Sequence, residues 1–437
     1  MGDSSERPRR VAIACQGGGS HTAFTAGVLK RLFDSEALAN HEVVGLSGTS
    51  GGAVCALLAW YALLDNDRRQ AGKLLDAFWA DNSATTPYEW LLNSWMIWAS
   101  RFENVVVTPA VSPYDTHFSL AGARQFKALL ERRVDFDRID VQADDMKPML
   151  LVGAVEVLSG KFRAFNSRHD QITADIILAS AAIPTLFRAV RLPDGTYWDG
   201  LFSQNPPVRE LIDAGPNEIW VIQINPRGRD AEPRTVAEIA DRRNELSGNL
   251  SLHQELGFIE KIDQLLDEGL LRADGKYRQI VVRVIELPRS QLSRALGTVS
   301  KLNRDPAFIR ELMSSGEQQA EDFLAALAFE EAWRTRNVDA VLRFFSEDAQ
   351  LVSWPPFQRR EPCYGLQHIR PFVLEHLAPD VVVDLTRKQV ARDEVVWTVR
   401  TLHDAGHRLQ GHAKAQFRDG KITAFRLGTG TTADRPP

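Results

Sequence analysis

Short apolar runs alternate along the first three hundred residues with stretches whose apolar positions recur every third or fourth residue. Val11-Ala12-Ile13-Ala14-Cys15 reads as a strand, and Phe24, Val28, Leu29, Leu32 and Phe33 follow at helical spacing. Val43-Val44-Gly45-Leu46 precedes the apolar stretch Ala53 to Leu64. Further on, Met149 to Ala154 and Glu218 to Ile224 again read as strands, with the helical run Ile176 to Ile183, ended by Pro184, between them. Strands written as continuous apolar runs are buried on both faces, as in a parallel sheet held between helices. The pattern predicts an α/β three-layer sandwich with a mostly parallel sheet. After the charged stretch Asp230 to Arg243, the apolar positions Leu250, Leu256, Ile259, Ile262, Leu265 and Leu266 predict a helical cover. A strand over Gln279 to Ile285 and a helix around Ala307 to Met313 then complete this domain.

Ser314-Ser315-Gly316 reads as a boundary, because the pattern changes beyond it. One helix carries Phe323, Leu324, Leu327, Phe329, Ala332 and Trp333, and a second carries Val341, Leu342, Phe344 and Phe345. Alternating strands follow at Ala349 to Trp354, Val381 to Leu385, Val395 to Leu402, His412 to Phe417 and Ile422 to Leu427. Helices followed by a meander predict a smaller α+β domain. The expected organisation is a tail over 1–10, the sandwich over 11–314, the α+β domain over 317–430 and a tail over 431–437. Two domains also suit a chain of 437 residues.

Composition narrows the picture further. The net charge of −5, with acidic and basic residues interspersed, does not describe a nucleic-acid surface. Cys15, Cys55 and Cys363 are scattered and odd in number, as expected of reduced thiols in a cytoplasmic protein. Residues 1–10 have neither an apolar run behind their basic pair nor the pattern for myristoylation. Val43 to Leu64 carries no charge and has the length of a membrane span, but Gly45, Gly48, Gly51 and Gly52 divide it into a buried strand and a buried helix. Trp90, Trp95 and Trp98, crowded together beside one acidic residue, read either as internal packing or as a patch for transient contact with a membrane surface.

Chemistry concentrates at three places. Gly48-Thr49-Ser50-Gly51-Gly52 joins an apolar strand to an apolar helix, the context of a nucleophile elbow. Glycines flank the serine because a Cβ would collide at so sharp a turn, and the helix directs its positive end at Ser50. Gln16-Gly17-Gly18-Gly19-Ser20-His21 links the first strand to the first helix, where backbone amides can receive a phosphate or an oxyanion. A dinucleotide turn would need glycine where Thr22 stands, so the oxyanion reading is preferred. The third place is Asp199, in Tyr197-Trp198-Asp199-Gly200-Leu201, after a hairpin-like Leu192-Pro193-Asp194-Gly195-Thr196.

In this order, oxyanion loop, serine elbow and distant acid, residues from 10 to about 310 resemble the patatin-like phospholipase family. The Ala-Ser-x-Ala-x-Pro sequence at Ala179–Pro184 is similar to one that precedes the family's aspartate. The resemblance implies a serine acyl hydrolase of lipid esters that uses a Ser-Asp dyad without histidine, cofactor or metal. Carried over by position, Ser50 is the nucleophile, Asp199 the base, and the amides of Gly18 and Gly19 the oxyanion donors. A carboxylate with an ordinary pKa of about 4 is a weak base, so burial beside the serine has to raise it. The chain departs from the family at His21 and Thr22, after the glycines, and at Leu201, where glycine or alanine is usual. His21 is expected to cap the helix start or face solvent rather than join the dyad. Ser180 and Ser203 are expected to support structure or local hydrogen bonding.

The C-terminal element order, with Asn337-Val338-Asp339-Ala340 before one helix and Tyr364-Gly365-Leu366-Gln367-His368-Ile369 before the next, is similar to SnoaL-like, nuclear-transport-factor-2-like cones. That resemblance implies an apolar ligand pocket, a homodimer surface, or catalysis of isomerisation or hydrolysis. Trp354, His403, His407 and His412 are candidate residues at its mouth. The histidine spacing on alternating strands does not suggest a metal site. Two alternatives to the lipid hydrolase stay open: a non-catalytic binder of lipid or acyl ligands with a hydrolase-like shell, and an acyltransferase or thioesterase.

Overall fold

The computed structural model describes residues 8–428 apart from 87–88, 90, 92, 95–111, 116–117, 140–146, 185, 230, 274–276, 289–291, 294–295, 354–359, 378–381, 392–393, 403–407 and 419. Trp90, Trp95 and Trp98, as well as Trp354, His403 and His407, lie outside the described residues. The chain divides into two compact units, Met1–Ile280 with Arg289–Glu317, and Val281–Pro288 with Gln318–Pro437.

The first unit is built on β1 (Arg9–Cys15), β2 (His41–Thr49), β3 (Met149–Glu156), β4 (Phe162–Asn166), β5 (Val190–Leu192), β6 (Gly195–Asp199) and β7 (Glu218–Gln223). Their order is β7-β1-β2-β3-β6-β5, with β4 also on β3. β7, β1, β2 and β3 run parallel, and β4, β5 and β6 add antiparallel pairs. The parallel strands are the ones written as continuous apolar runs, since helices cover both their faces. The helices are α1 (Ala23–Asp34), α2 (Gly51–Leu64), α3 (Arg68–Asn82), α4 (Phe118–Glu131), α5 (Ala174–Ala181) and α6 (Val236–Asp267). The uncharged stretch 43–64 thus becomes most of β2 and all of α2, whose residues from Gly52 to Trp60 are buried. Among the described residues no helix is long and apolar enough to cross a membrane.

Ser314-Ser315-Gly316 is not a turn. These residues lie inside α7, an uninterrupted helix over Pro306–Arg334, and the division between the units falls within it. Gly316 is glycine because α7 crosses α1 closely: a Cβ on Gly316 would collide with the Phe24 carbonyl, and one on Gly27 with that of Met313. A helix crossing of this kind writes the same small-residue cluster as a loop.

The second unit contains β8 (Val281–Glu286), the C-terminal part of α7, α8 (Val338–Leu342), β9 (Phe345–Ser353), β10 (Arg360–Tyr364), α9 (Leu366–His376), β11 (Val382–Ala391), β12 (Glu394–Leu402), β13 (Arg408–Arg418) and β14 (Lys421–Gly428). Their order is β10-β9-β14-β13-β12-β11-β8. β8, expected to complete the sandwich, lies parallel to β11 and groups with the second unit. β10, a short strand with a register shift, was not legible in the pattern. Phe329 fills the middle of this unit, with the rings of Trp333, Phe344, Phe345, Trp397 and Phe425 around it at 5.7–6.2 Å. His412 lies on β13 opposite Thr398 and Gly428.

Candidate active site

At the end of β2 the chain turns into α2 through Ser50, whose φ of 56° and ψ of −131° are rarely adopted by a residue with a side chain. The turn can be this sharp because Gly48 and Gly52 have no Cβ: one on Gly48 would meet the Gly52 carbonyl, and one on Gly52 the Cys15 carbonyl. The Ser50 amide donates to Ser180 Oγ at 3.0 Å, and that hydroxyl donates to the Gly153 carbonyl at 2.6 Å. Ser180 therefore pins the strained turn to β3, a structural support reached across 130 and 27 positions of chain rather than a local bond. Thr49 Oγ1 likewise donates to the Gln204 carbonyl at 2.7 Å, joining the elbow to the chain beyond Asp199.

Asp199 ends β6 opposite Ala154 and is 1 % exposed. Its carboxylate accepts the Leu201 amide at 2.8 Å. Burial pushes its pKa up from 3.8 to about 7, against the lowering effects of the Leu201 amide, the neighbouring Ser50 hydroxyl and the positive charge of Lys301. The structure thus brings together the two residues that the sequence placed 149 positions apart, and gives the acid the raised pKa that a base at neutral pH needs.

The glycine loop runs beside them. The Gly17 amide donates to Asn205 Oδ1 at 2.7 Å, and a Cβ on Gly17 would stand 2.5 Å from the Thr49 carbonyl. Gly19 has a φ of 56° and packs on the Lys301 carbonyl. The Gly18 carbonyl accepts the His21 amide, and the Gly19 carbonyl accepts Thr22 Oγ1 at 2.6 Å. A trans peptide opposes its N–H to its carbonyl, so holding the Gly18 carbonyl toward His21 turns the Gly19 amide away from that helical turn. Thr22, a departure from the family pattern, is therefore part of the loop's framework. His21 neither caps α1 nor faces solvent: it is buried, bonded through Nε2 to Ser300 Oγ at 2.8 Å and set edge-on to Phe308. Cys15 and Cys55 are buried thiols, Cys55 pushed up to about 12 by burial, while Cys363 is partly exposed.

Several residues at the site have no local motif. Asn205 binds the Gly17 amide and donates to the Gly248 carbonyl of α6 at 3.1 Å. Gln16 accepts the amides of Ile224 and Asn225, both at 2.8 Å, and donates to Asn249 and to the Gly248 carbonyl. Lys301 Nζ donates to Asn225 Oδ1 at 3.0 Å and Asn244 Oδ1 at 2.6 Å. The one signal available was an amide beside each motif: Gln16 before the glycines, and Asn205 soon after Asp199.

The elbow, the buried acid and the glycine loop lie within one stretch of chain that matches a family model, Patatin-like phospholipase, over residues 13–212. Residues 13–212 are a patatin-like phospholipase domain. The match points to lipid acyl hydrolase activity in general. Beyond this patatin-like domain, residues 326–425 match a SnoaL-like domain. Among solved structures, an NTF2-like protein from Mesorhizobium loti is similar at 16% identity, over 25% of this chain and 89% of that one, with a TM-score of 0.23. Another, from Burkholderia pseudomallei, shares 14% identity over 26% of this chain and 92% of its own, with a TM-score of 0.23. Both are described as proteins of unknown function. No curated protein matches the chain.

Proposed function

We propose that the patatin-like domain hydrolyses carboxylic esters of lipids, phospholipid or acylglycerol in type, through an acyl-enzyme on Ser50. The observation that supports this reading most directly is the strained Ser50 elbow set beside the buried Asp199 carboxylate, whose pKa burial raises to about 7. Ser50 Oγ bonds to the ester carbonyl carbon while its proton passes to Asp199. The amides of Gly18 and Gly19 receive the negative oxygen of the tetrahedral intermediate. As the ester C–O bond breaks, the leaving alcohol takes the proton back from Asp199. Water then attacks the acyl carbon, again giving its proton to Asp199, and the acid leaves as Ser50 recovers its hydrogen. The Ser50 amide, bonded to Ser180, is engaged elsewhere, so the glycine loop is the natural oxyanion partner. The working place of this chemistry is the cytoplasm, at the surface of lipid assemblies.

A fluorophosphonate probe tests the proposal, with the adduct mapped by mass spectrometry in wild type and Asp199→Asn. Labelling at Ser50 that weakens in the variant is expected. A folded protein whose Ser50 remains unmodified would overturn the hydrolase reading in favour of ligand binding without turnover.

A further inference from the structure

The side of α6 turned away from the site carries Val236, Ile239, Leu246, Leu250 and Phe258, which are 44–69 % exposed. The first four stand at i, i+3, i+10 and i+14, so at about 100° per residue they form one row along the helix, with Phe258 beside its continuation. Arg243 takes the i+7 place in that row, and Lys261 returns to the same side about five turns later. Both cations are exposed, and Lys261 donates to the neutral amide oxygen of Gln264 at 3.1 Å. The carboxylates of the helix, from Glu238 to Asp267, all fall on the opposite half of its circumference. A surface helix ordinarily turns its apolar stripe inward. α6 does the reverse, because its inner side is committed to the polar framework of the site, where Gly248 and Asn249 accept from Asn205 and Gln16. A contiguous row of large apolar side chains left in water marks a contact surface.

We infer that the outer face of α6 docks on an anionic lipid surface, its aliphatic row and Phe258 entering the acyl boundary while Arg243 and Lys261 sit at the phosphates. The segregation of charge selects this occupant. A symmetric pairing with a second copy of the same face would set cations against cations, with no carboxylate of the helix to meet them. An anionic lipid surface supplies both the opposite charge and the apolar cover. The inference builds on the proposed hydrolysis of lipid esters and gives that reaction its place of contact. Leu246 and Leu250 share their turns with Gly248 and Asn249, so a membrane on the outer face lies one helix diameter, about 10 Å, from the framework of the glycine loop. These residues hold the enzyme at its substrate and take no part in bond cleavage.

Flotation of the full-length protein tests the inference, with vesicles of ether-linked phosphatidylcholine containing about 30 % ether-linked phosphatidylglycerol. Such lipids have no carboxylic ester to cleave, so binding is read without turnover. Wild type is expected to float with them, and less so at high salt. Leu246→Ser combined with Leu250→Ser should bind about tenfold or more weakly. Arg243→Glu combined with Lys261→Glu should lose as much on the anionic vesicles and match wild type on pure phosphatidylcholine. Leu158→Ser, an exposed apolar residue on the β3–β4 turn, should float as wild type does. All of these positions are exposed, so unchanged thermal melts are expected and checked alongside. A wild type that stays at the bottom, a Leu246/Leu250 variant that floats like wild type, or an equal loss in Leu158→Ser would overturn the inference. So would a wild-type dimer, seen by sedimentation velocity, that the leucine substitutions dissociate, because the face would then belong to a second copy. Fluorophosphonate labelling of Ser50 in the same preparations separates the two ideas. Normal labelling without flotation sinks the docking surface alone, and flotation that needs the row while Ser50 stays unlabelled sinks the hydrolase reading alone.

Discussion

Asp199 is held between desolvation and function. Burial leaves its pKa at about 7, while the ordinary value that serves for the unfolded chain is 3.8. Between these values the native carboxyl keeps a proton that the unfolded one has lost. Stability contributed at this residue is therefore present at low pH and is lost as pH rises from about 4 through about 7, by about 4 kcal/mol in all. Asp199→Asn removes that dependence and keeps an acceptor for the Leu201 amide. Thermal melts at about pH 4 and pH 8 should show the variant gaining on wild type at the higher pH only. Its kcat should meanwhile fall about 10²–10⁴-fold. For wild type, kcat/KM should rise with pH to a plateau, with a midpoint near 7. A midpoint near 4 would count against the proposal that Asp199 is the base. Ser180→Ala belongs to the same scale: it strips a partner from the Ser50 amide and from the Gly153 carbonyl, so denaturant titration should find it about 1–3 kcal/mol less stable. Ser50 and Asp199 were legible in the chain because the elbow and the Asp-Gly turn are local patterns. Asn205, Asn225 and Lys301 were not. Their neighbours at the site lie far away in sequence, 188 positions from Gly17 to Asn205, and nothing local marks a polar side chain for so distant a partner.

At the scale of elements, periodicity located α6 but assigned its face poorly. Of the apolar positions that marked it, Ile259 is buried but Leu250 is 60 % exposed, while the polar or small Glu245, Gly248 and Asn249 are buried. The inner face is polar because it meets the amides of Gln16 and Asn205, and Glu245 is satisfied there by Arg229 and Arg242. Gly248 also makes room for Leu201, 3.2 Å from where a Cβ would stand, which accommodates the bulky residue after Asp199-Gly200. Hydrophobic periodicity reports burial against an apolar core and reads wrongly where a helix covers a polar site. Gly316 shows a companion effect: the cluster that reads as a boundary is continuous helix, and its small residue serves a helix crossing. Two substitutions separate these uses of glycine. Gly257→Ala on α6 is exposed with nothing within 4 Å of the added Cβ, and should stabilise by about 0.5–1 kcal/mol through helix propensity. Gly316→Ala carries the same propensity gain but drives its methyl into the Phe24 carbonyl, and should lower stability by about 1–3 kcal/mol. A stabilised Gly316→Ala protein would mean that the α1–α7 crossing is looser than described.

Across the whole molecule, the two units are interleaved in sequence, since Val281–Pro288 leaves the first and belongs to the second. β8 is tied there by parallel pairing with β11 and by a buried ion pair, Arg283 to Glu330 at 2.6 Å, whose carboxylate also accepts Trp397 Nε1 at 2.7 Å. A protein cut after Glu317 keeps the elbow, Asp199, the glycine loop and Lys301, but strands β8. The cut removes β11 and Glu330, leaving a bare strand edge that invites aggregation and taking the Glu330 carboxylate from the buried Arg283. Breaking a buried pair from one side costs about 3–5 kcal/mol, a large share of a domain's stability. The shortened protein is therefore expected to aggregate or melt without cooperativity. Replacing 281–288 in it by a Gly-Ser segment of equal length should restore a cooperative melt and fluorophosphonate labelling of Ser50, because the offending strand and arginine are gone. If the shortened protein with its native 281–288 already melts and labels like the full chain, β8 does not need the second unit. If neither shortened form folds, the patatin-like domain depends on the second unit through more than this strand.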